Sequence, residues 1–464
     1  LYEYLVAKKE EDGVFILRIE DTDQGRLVEG ATDIIMDTMS SCGLNHDEGP
    51  DVGGDFGPYI QSERMKSGIY KEYALKLVEL GGAHICFCNQ EDINEQREIA
   101  EAKGESFKFD DPCKNLNQEE VSKRMESEEY VIRQNIPATG TTTFTDEVYG
   151  DITVENSTLD ESILLKSDGF PTYNFANIID DHMMEITHVV RGNEYLASTP
   201  KYNLVYEAFG WEVPTYIHCP PVMKDEQHKL SKRNGDASFQ DLVKKGFLPE
   251  AIINYIALLG WAPETDQEIY SLDELKKAFN VKRINKNGAI FDIEKLKWVN
   301  AQYLRNMEPK KYYELILPYI NEAVQKDYDK EMIAQVLQPR VTTLDEIGEM
   351  LDFFDEMPDY TTDLYIKKKM KTNEENSLAA IKAANEYFKG LTTWNYDIIH
   401  DGLLELAKEL GIKNGQLLFP ATVALSGKKF TPGGCMELAA IFGKEETLKR
   451  LDKSISLLES VVNS

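Results

Sequence analysis

No run of apolar residues in this sequence approaches the ~20 that a membrane-spanning helix requires. The opening residues, Leu1-Tyr2-Glu3-Tyr4-Leu5-Val6-Ala7-Lys8-Lys9, have the pattern of an amphipathic helix end and not of a cleavable leader. Cysteine is sparse, six in 464 residues, and unevenly spaced, which argues against the disulfide framework of small secreted domains. A basic excess is missing as well. The formal net charge is −30, a balance that taken alone favours a soluble metabolic enzyme over a binder of phosphate backbones. Internal repeats and low-complexity linkers are absent. Together these absences predict a cytoplasmic protein with no membrane partner.

What is present is ordinary globular material, 42% apolar and 28% charged, in a chain long enough for about three to five compact units. Basic residues do gather locally. Lys276, Lys277, Lys282, Arg283 and Lys286 form one group, Lys295 and Lys297 a second, and Lys367, Lys368, Lys369 and Lys371 a third. The expectation is an acidic body carrying basic tracks, each of which also reads as plain solvated surface.

The densest basic run is Lys229-Leu230-Ser231-Lys232-Arg233. It follows Tyr216-Ile217-His218-Cys219-Pro220-Pro221-Val222-Met223, an apolar stretch with strand character, and so reads as a mobile loop at a strand's end. In open α/β sheets ligands bind at such ends. An ammonium pair there suits a phosphate chain, because it neutralises charge that builds on the α-phosphate and the departing pyrophosphate during nucleotidyl transfer. On composition alone a solvated surface loop is the commoner outcome.

Elsewhere strand and helix signals alternate, which predicts a parallel sheet. Residues 14–20 are rich in β-formers. Ser62 is placed to cap a helix whose apolar positions Ile69, Tyr73, Leu77 and Leu80 recur at helical spacing before Gly81-Gly82. From about residue 86 to 167 the pattern changes to an acidic helical segment and then β-like pieces, which reads as an insertion. Residues 249–260 have a helical period with proline first and glycine last. Strand signals are scarce after Trp298, and Leu448, Leu451, Ile455 and Leu458 keep a stripe suited to a helical bundle.

Lys229-Leu230-Ser231-Lys232-Arg233 resembles the second signature of class I aminoacyl-tRNA synthetases, and Phe15-Ile16-Leu17-Arg18-Ile19-Glu20-Asp21-Thr22-Asp23 resembles the glutamate-specific strand of bacterial glutamyl-tRNA synthetases. Three further strings follow in that family's order: Gly57-Pro58-Tyr59-Ile60-Gln61-Ser62-Glu63-Arg64, Phe170-Pro171-Thr172-Tyr173-Asn174-Phe175-Ala176-Asn177 and Val190-Arg191-Gly192. The resemblance implies a Rossmann-type α/β catalytic domain split over residues 1–85 and 176–235. It further implies an inserted α+β connective domain at 86–175 that grips the tRNA acceptor end, and a stem-contact domain at 236–308. An all-α anticodon-binding region at 309–464, with room for two subdomains, completes the picture. The implied activity is ATP-dependent ligation of L-glutamate to tRNA(Glu) through a glutamyl-adenylate, with ATP carried as its Mg2+ complex, by a monomer.

Residue by residue, the resemblance makes Glu20 the partner of the substrate ammonium, Arg191 the selector of the γ-carboxylate, and Tyr173 and Asn177 its hydrogen-bonding companions. Bidentate arginine is the best geometric match to a carboxylate. The plainer readings are a Glu20–Arg18 pair at a strand end and a salt bridge from Arg191 to Glu194 or Asp181. Asp21 and Asp23 read as turn and cap residues. Lys229 and Lys232 are assigned to the phosphates and to catalysis, Ser231 to fixing the loop and binding ATP, and Tyr195 to ATP packing, where relatives often carry tryptophan. Arg340, in Gln338-Pro339-Arg340, resembles an anticodon-reading arginine. Lys428 and Lys429 are weaker candidates, because Pro420-Ala421-Thr422 stands where relatives often have an arginine.

Cys86, Cys88 and Cys113 are similar to a zinc-binding variant of the inserted domain. Phe109 and Asn115 occupy the positions where those relatives offer a further ligand, so three thiols without a fourth donor argue against zinc. The histidines show no ligand spacing, and His46, His84, His182, His218 and His400 read as satisfied structural groups. The family's first signature, a His-x-Gly-His-like turn, does not occur, and the expectation is a further segment upstream of Leu1. Two alternatives stay open. One is a non-discriminating enzyme that also charges tRNA(Gln), which Arg340 opposes; the other is a non-catalytic tRNA-binding paralogue, which intact Glu20, Arg191, Lys229 and Lys232 oppose.

Overall fold

The computed structural model describes the chain apart from residues 24, 26–27, 105–106, 231–237 and 464 and the side chain of Gln90. Two compact units emerge: Leu1–Asp236 with Ile253–Phe291, and Ala237–Ile252 with Asp292–Ser464. Among the described residues no helix is long and apolar enough to cross a membrane, and all six cysteines are free.

The first unit carries a four-stranded sheet in the order Gly150–Glu155, Thr141–Asp146, Thr215–Cys219, His188–Gly192. The parallel sheet expected from the sequence is only half of it. His188–Gly192 and Thr215–Cys219 pair in parallel over five residues, with Arg191 opposite His218, whereas Thr141–Asp146 and Gly150–Glu155 form an antiparallel hairpin. The hairpin joins the parallel pair through Asp146 opposite Tyr216. Its tight turn at Gly150 (φ 82°) is what lets two adjacent β-rich runs pair with each other.

A second sheet is wholly antiparallel: Ala83–Cys86 beside Val131–Gln134 beside Ile163–Leu165. Helices Ile69–Glu79, Tyr173–Met183 and Thr199–Phe209 turn their apolar stripes onto a core that includes Leu77, Ile132, Phe175, Ile179 and Val205. Burying each such side chain contributes about 1.5–3 kcal/mol, which is what holds the helices to the strands. The 249–260 helix forms as its proline and glycine predict, at Pro249–Gly260.

Three local expectations change. Residues 14–20 run extended but make only isolated bridges, Ile16 with Glu48 and Ile19 with Ile60, because their neighbours are loop segments and not a continuous strand. Ser62 is not a cap: it lies inside the short helix Gln61–Met65, and its amide is capped by the Asp21 carboxylate at 2.8 Å. Of the basic run expected to be a mobile loop, Lys229 closes a hairpin, while residues 231–233 lie outside the described residues. Val222–Met223 pairs with Ala289–Ile290, and Lys229 folds back antiparallel on Met223, with the turn held by Asp225 accepting from the Gln227 and His228 amides.

The second unit is helical. Its longest helix, Cys435–Val462, kinks at Gly443 (φ 74°), a conformation that glycine tolerates at no steric cost. The face it buries includes Leu451 and Leu458 but also Arg450, whose guanidinium donates to Phe353 O, Leu425 O and Phe354 O and pairs with Glu446. Leu448 and Ile455, the other members of the expected stripe, are only half-buried.

Candidate active site

Arg191 and His218 are each the fourth residue of a five-residue strand, and the parallel register sets them side by side near the carboxyl ends. The Arg191 Nε donates to His218 Nε2 at 3.1 Å and its Nη2 donates to Thr199 Oγ1 at 2.8 Å. Three tyrosine rings surround the guanidinium, those of Tyr202, Tyr195 and Tyr216, at 4.8, 5.2 and 5.4 Å from their centroids. Such rings stabilise a cation without neutralising it. Among the described residues no carboxylate forms a salt bridge with Arg191, so neither Glu194 nor Asp181 is its partner. A guanidinium has five N–H donors. Two are engaged here, which leaves a fork for an incoming carboxylate.

Beneath it His218 is fully buried and its Nδ1 lies 2.7 Å from Asp146 Oδ2, which also accepts the His218 amide at 3.0 Å. The other Asp146 oxygen accepts the Val148 and Tyr149 amides. Burial works against this carboxylate's charge, yet the hydrogen bonds from His218 and the two amides hold it below its ordinary value.

Tyr173 opens the helix Tyr173–Met183, and Asn177 follows one turn later on the same face. The Tyr173 ring sits 5.7 Å from that of Tyr195. Burial, and then the Glu20 charge, pushes the Tyr173 phenol above its ordinary value, so it is a neutral hydrogen-bonding group. Asn177 is buried, and its Oδ1 has no hydrogen-bond partner among the described residues. A buried acceptor without a donor is costly, about 1–3 kcal/mol, and a polar ligand would satisfy it.

Glu20 belongs to the same electrostatic neighbourhood: burial raises the Tyr202 phenol, the Arg191 charge opposes that rise and the Glu20 charge adds to it. Its carboxylate pairs with Arg18 at 2.9 Å, as the plainer reading of the sequence has it. Arg18 also holds Asp181 at 2.8 Å and stands 3.9 Å from Asp180. Burial opposes the Arg18 charge, but the Asp181, Glu20 and Asp180 carboxylates more than offset this and raise it well above its ordinary value.

Three sequence-predicted residues, Tyr173, Tyr195 and Arg191, thus come together, with the Glu20 charge felt at Tyr173 and Asn177 one turn along the same helix. Lys229 is exposed on its hairpin, while Ser231 and Lys232 lie outside the described residues. Arg340, in the second unit, is exposed and donates to Val336 O at the end of the helix Lys330–Leu337. Lys428 pairs with Asp352. Sequence reasoning missed His218 and Asp146. Aligning the two apolar strands end to end would have found His218, because it shares Arg191's position in the strand.

It also missed a carboxylate beside the cysteines. Cys86, Cys88, Cys113 and Asp111 offer ligand atoms all within 4.8 Å of one another. The group's fourth potential donor is thus neither residue 109 nor 115 but Asp111, which caps the turn Pro112–Asn115 by accepting the Cys113 amide. The Phe87 amide donates to Cys113 Sγ at 3.3 Å, and His84 and Arg133 orient Asp111 from behind. Burial and the Asp111 carboxylate push the Cys86 thiol up to about 11.

The family described as tRNA synthetases class I (E and Q), catalytic domain, matches residues 1–298, and an anticodon binding domain matches residues 311–455. A glutamate–tRNA ligase of Clostridium tetani (strain Massachusetts / E88) is 55% identical over 464 residues, covering 100% of this chain and 94% of that protein. One from Clostridium botulinum (strain Eklund 17B / Type B) is 55% identical over 462 residues, covering 99% and 95%. The crystal structure of a glutamate tRNA ligase from Elizabethkingia meningosepticum CCUG26117 in complex with its amino acid superposes with a TM-score of 0.86 at 34% identity, covering 98% of this chain and 95% of that one. The chain belongs to the glutamate–tRNA ligases, class I aminoacyl-tRNA synthetases.

Proposed function

We propose that this enzyme activates L-glutamate as glutamyl-adenylate and transfers it to the 2′-hydroxyl of the terminal adenosine of tRNA(Glu), releasing pyrophosphate and then AMP. An oxygen of the α-carboxylate attacks the α-phosphorus of ATP as the bond to pyrophosphate breaks; the tRNA hydroxyl then attacks the adenylate's carbonyl carbon and AMP leaves. The protein contributes positioning and electrostatics and needs no nucleophile of its own. Arg191 receives the γ-carboxylate, with Tyr173 and Asn177 beside it. Glu20, shared with Arg18, takes the substrate ammonium. Lys229, Lys232 and Ser231 engage the phosphates of Mg2+-ATP, and Tyr195 packs beside them. The observation that carries this reading is a guanidinium ringed by tyrosines with no salt-bridge carboxylate among the described residues.

The catalytic, connective, stem-contact and anticodon roles follow the divisions 1–85 with 176–235, 86–175, 236–308 and 309–464, with Arg340 reading the anticodon. The protein acts as a cytoplasmic monomer. Three thiols and a carboxylate within one small volume suit a tetrahedral thiophilic cation such as zinc. Cys86, Cys88, Cys113 and Asp111 would hold it, and its role would be to tie the strand end to the Pro112 turn. The test is aminoacylation by the full-length protein with tRNA(Glu) and tRNA(Gln) supplied separately. Charging of tRNA(Glu) alone supports the reading, charging of both supports the non-discriminating alternative, and charging of neither rejects it.

A further inference from the structure

We infer that Asp146 and His218 are positioning residues for glutamate binding: Asp146 fixes the tautomer of His218 so that its Nε2 lone pair holds Arg191 in the orientation that receives a carboxylate. The argument is one of donors and acceptors. Arg191 Nε can only donate, so His218 Nε2, 3.1 Å away, must accept. A neutral imidazole that accepts at Nε2 carries its proton at Nδ1, and Nδ1 faces Asp146 Oδ2 at 2.7 Å. Asp146 is itself immobile, with both oxygens committed to backbone amides. Thr199 completes the clamp by accepting from Arg191 Nη2 and donating to Tyr195 O.

The chain orders this from three separate segments. Asp146 ends the hairpin strand Thr141–Asp146, His218 lies on Thr215–Cys219, and Arg191 lies on His188–Gly192. His218 is fully buried and Asp146 is 1% exposed, so both are shielded from solvent and act through the arginine. A second carboxylate set directly against Arg191 would orient it equally well but would neutralise it. A neutral imidazole orients the guanidinium and leaves its charge for the ligand, while the aspartate's charge is kept one residue further back.

This inference rests on the reading of Arg191 as the glutamate-binding cation, and the test separates the two. Four variants of the full-length enzyme are compared by aminoacylation, with KM measured for glutamate, ATP and tRNA and with thermal unfolding recorded. Arg191→Ala tests the underlying reading and must raise the glutamate KM. Asp146→Asn presents an amide to Nδ1, moves the histidine proton to Nε2 and sets it against the Arg191 donor; the glutamate KM rises about tenfold while the ATP KM holds. His218→Asn, which lacks a group at the Nε2 position, does the same. His218→Gln keeps an acceptor there and restores near-normal KM. Because glutamine has no tautomer to fix, adding Asp146→Asn to His218→Gln brings no further rise. An Asp146→Asn effect that persists undiminished in the glutamine background, or one spread equally over all three substrates, would overturn the inference. An unchanged glutamate KM in Arg191→Ala would overturn the reading beneath it.

Discussion

Two arginines in the same unit carry opposite designs. Arg18 is surrounded by acid: Glu20 and Asp181 within 2.9 Å and Asp180 a little further away. Arg191 is held just as firmly, yet by rings, a hydroxyl and an imidazole, none of which cancels its charge. The first arrangement spends the guanidinium on folding; the second keeps it available. A charged residue's function is therefore legible less from its burial than from the chemical class of its partners, because only uncharged partners leave electrostatic work undone.

The sharpest way to break this comparison is to delete both arginines. Arg18→Ala leaves Glu20 and the half-buried Asp181 without their shared cation, while Asp180 keeps Arg64, Gln61 and Tyr70, and lowers unfolding free energy by about 2 kcal/mol, read by denaturant titration. Arg191→Ala leaves no buried acid behind. Stability changes little, while the glutamate KM rises roughly a hundredfold, with Arg191→Lys between it and wild type because lysine keeps the charge and loses the fork. Equal effects of the two deletions on stability would erase the distinction.

Asp111 extends the comparison to an acid that is already partnered, by His84 and Arg133, yet adjoins three thiols. Elemental analysis of the purified protein is expected to find about one zinc per chain. Chelation then lowers the thermal midpoint by several degrees without moving the glutamate KM, since the cluster makes no contact with Arg191 among the described residues. The smallest effect concerns Asp146, whose carboxyl is held below its ordinary value of about 3.9. A depressed acid contributes stability that is complete above that value and lost as pH falls through the folded one. The stability difference between wild type and Asp146→Asn is therefore flat above about pH 5 and shrinks at lower pH, which unfolding curves across pH can check.

Much of the site was legible in linear sequence because its residues cluster in short runs. Arg191 lies near the end of an apolar strand, and Tyr173 and Asn177 share a helical face one turn apart; both facts need only the periods of strand and helix. The alternation that predicted the sheet could not reveal that the Thr141–Asp146 hairpin joins it, since that depends on a single long-range pairing, Asp146 with Tyr216. For the same reason His218 reads in isolation as a satisfied core histidine. It is one, but what satisfies it is Arg191 on one side and Asp146 on the other, and only the register between strands discloses that. Asp111 hid in a different way: family spacing directs attention to positions 109 and 115, while the turn at Pro112 brings residue 111 round to the thiols. Ser231 and Lys232 fall outside the described residues, so the phosphate assignment rests on sequence.

The most direct test is a crystal structure of the full-length enzyme with L-glutamate bound. The account predicts a glutamate carboxylate oxygen about 2.7–2.9 Å from an Arg191 guanidinium nitrogen, with Arg191 still seated on His218 and Arg18 still on its acids. Glutamate bound with both carboxylates remote from Arg191, or Arg191 swung away onto a protein carboxylate, would contradict it.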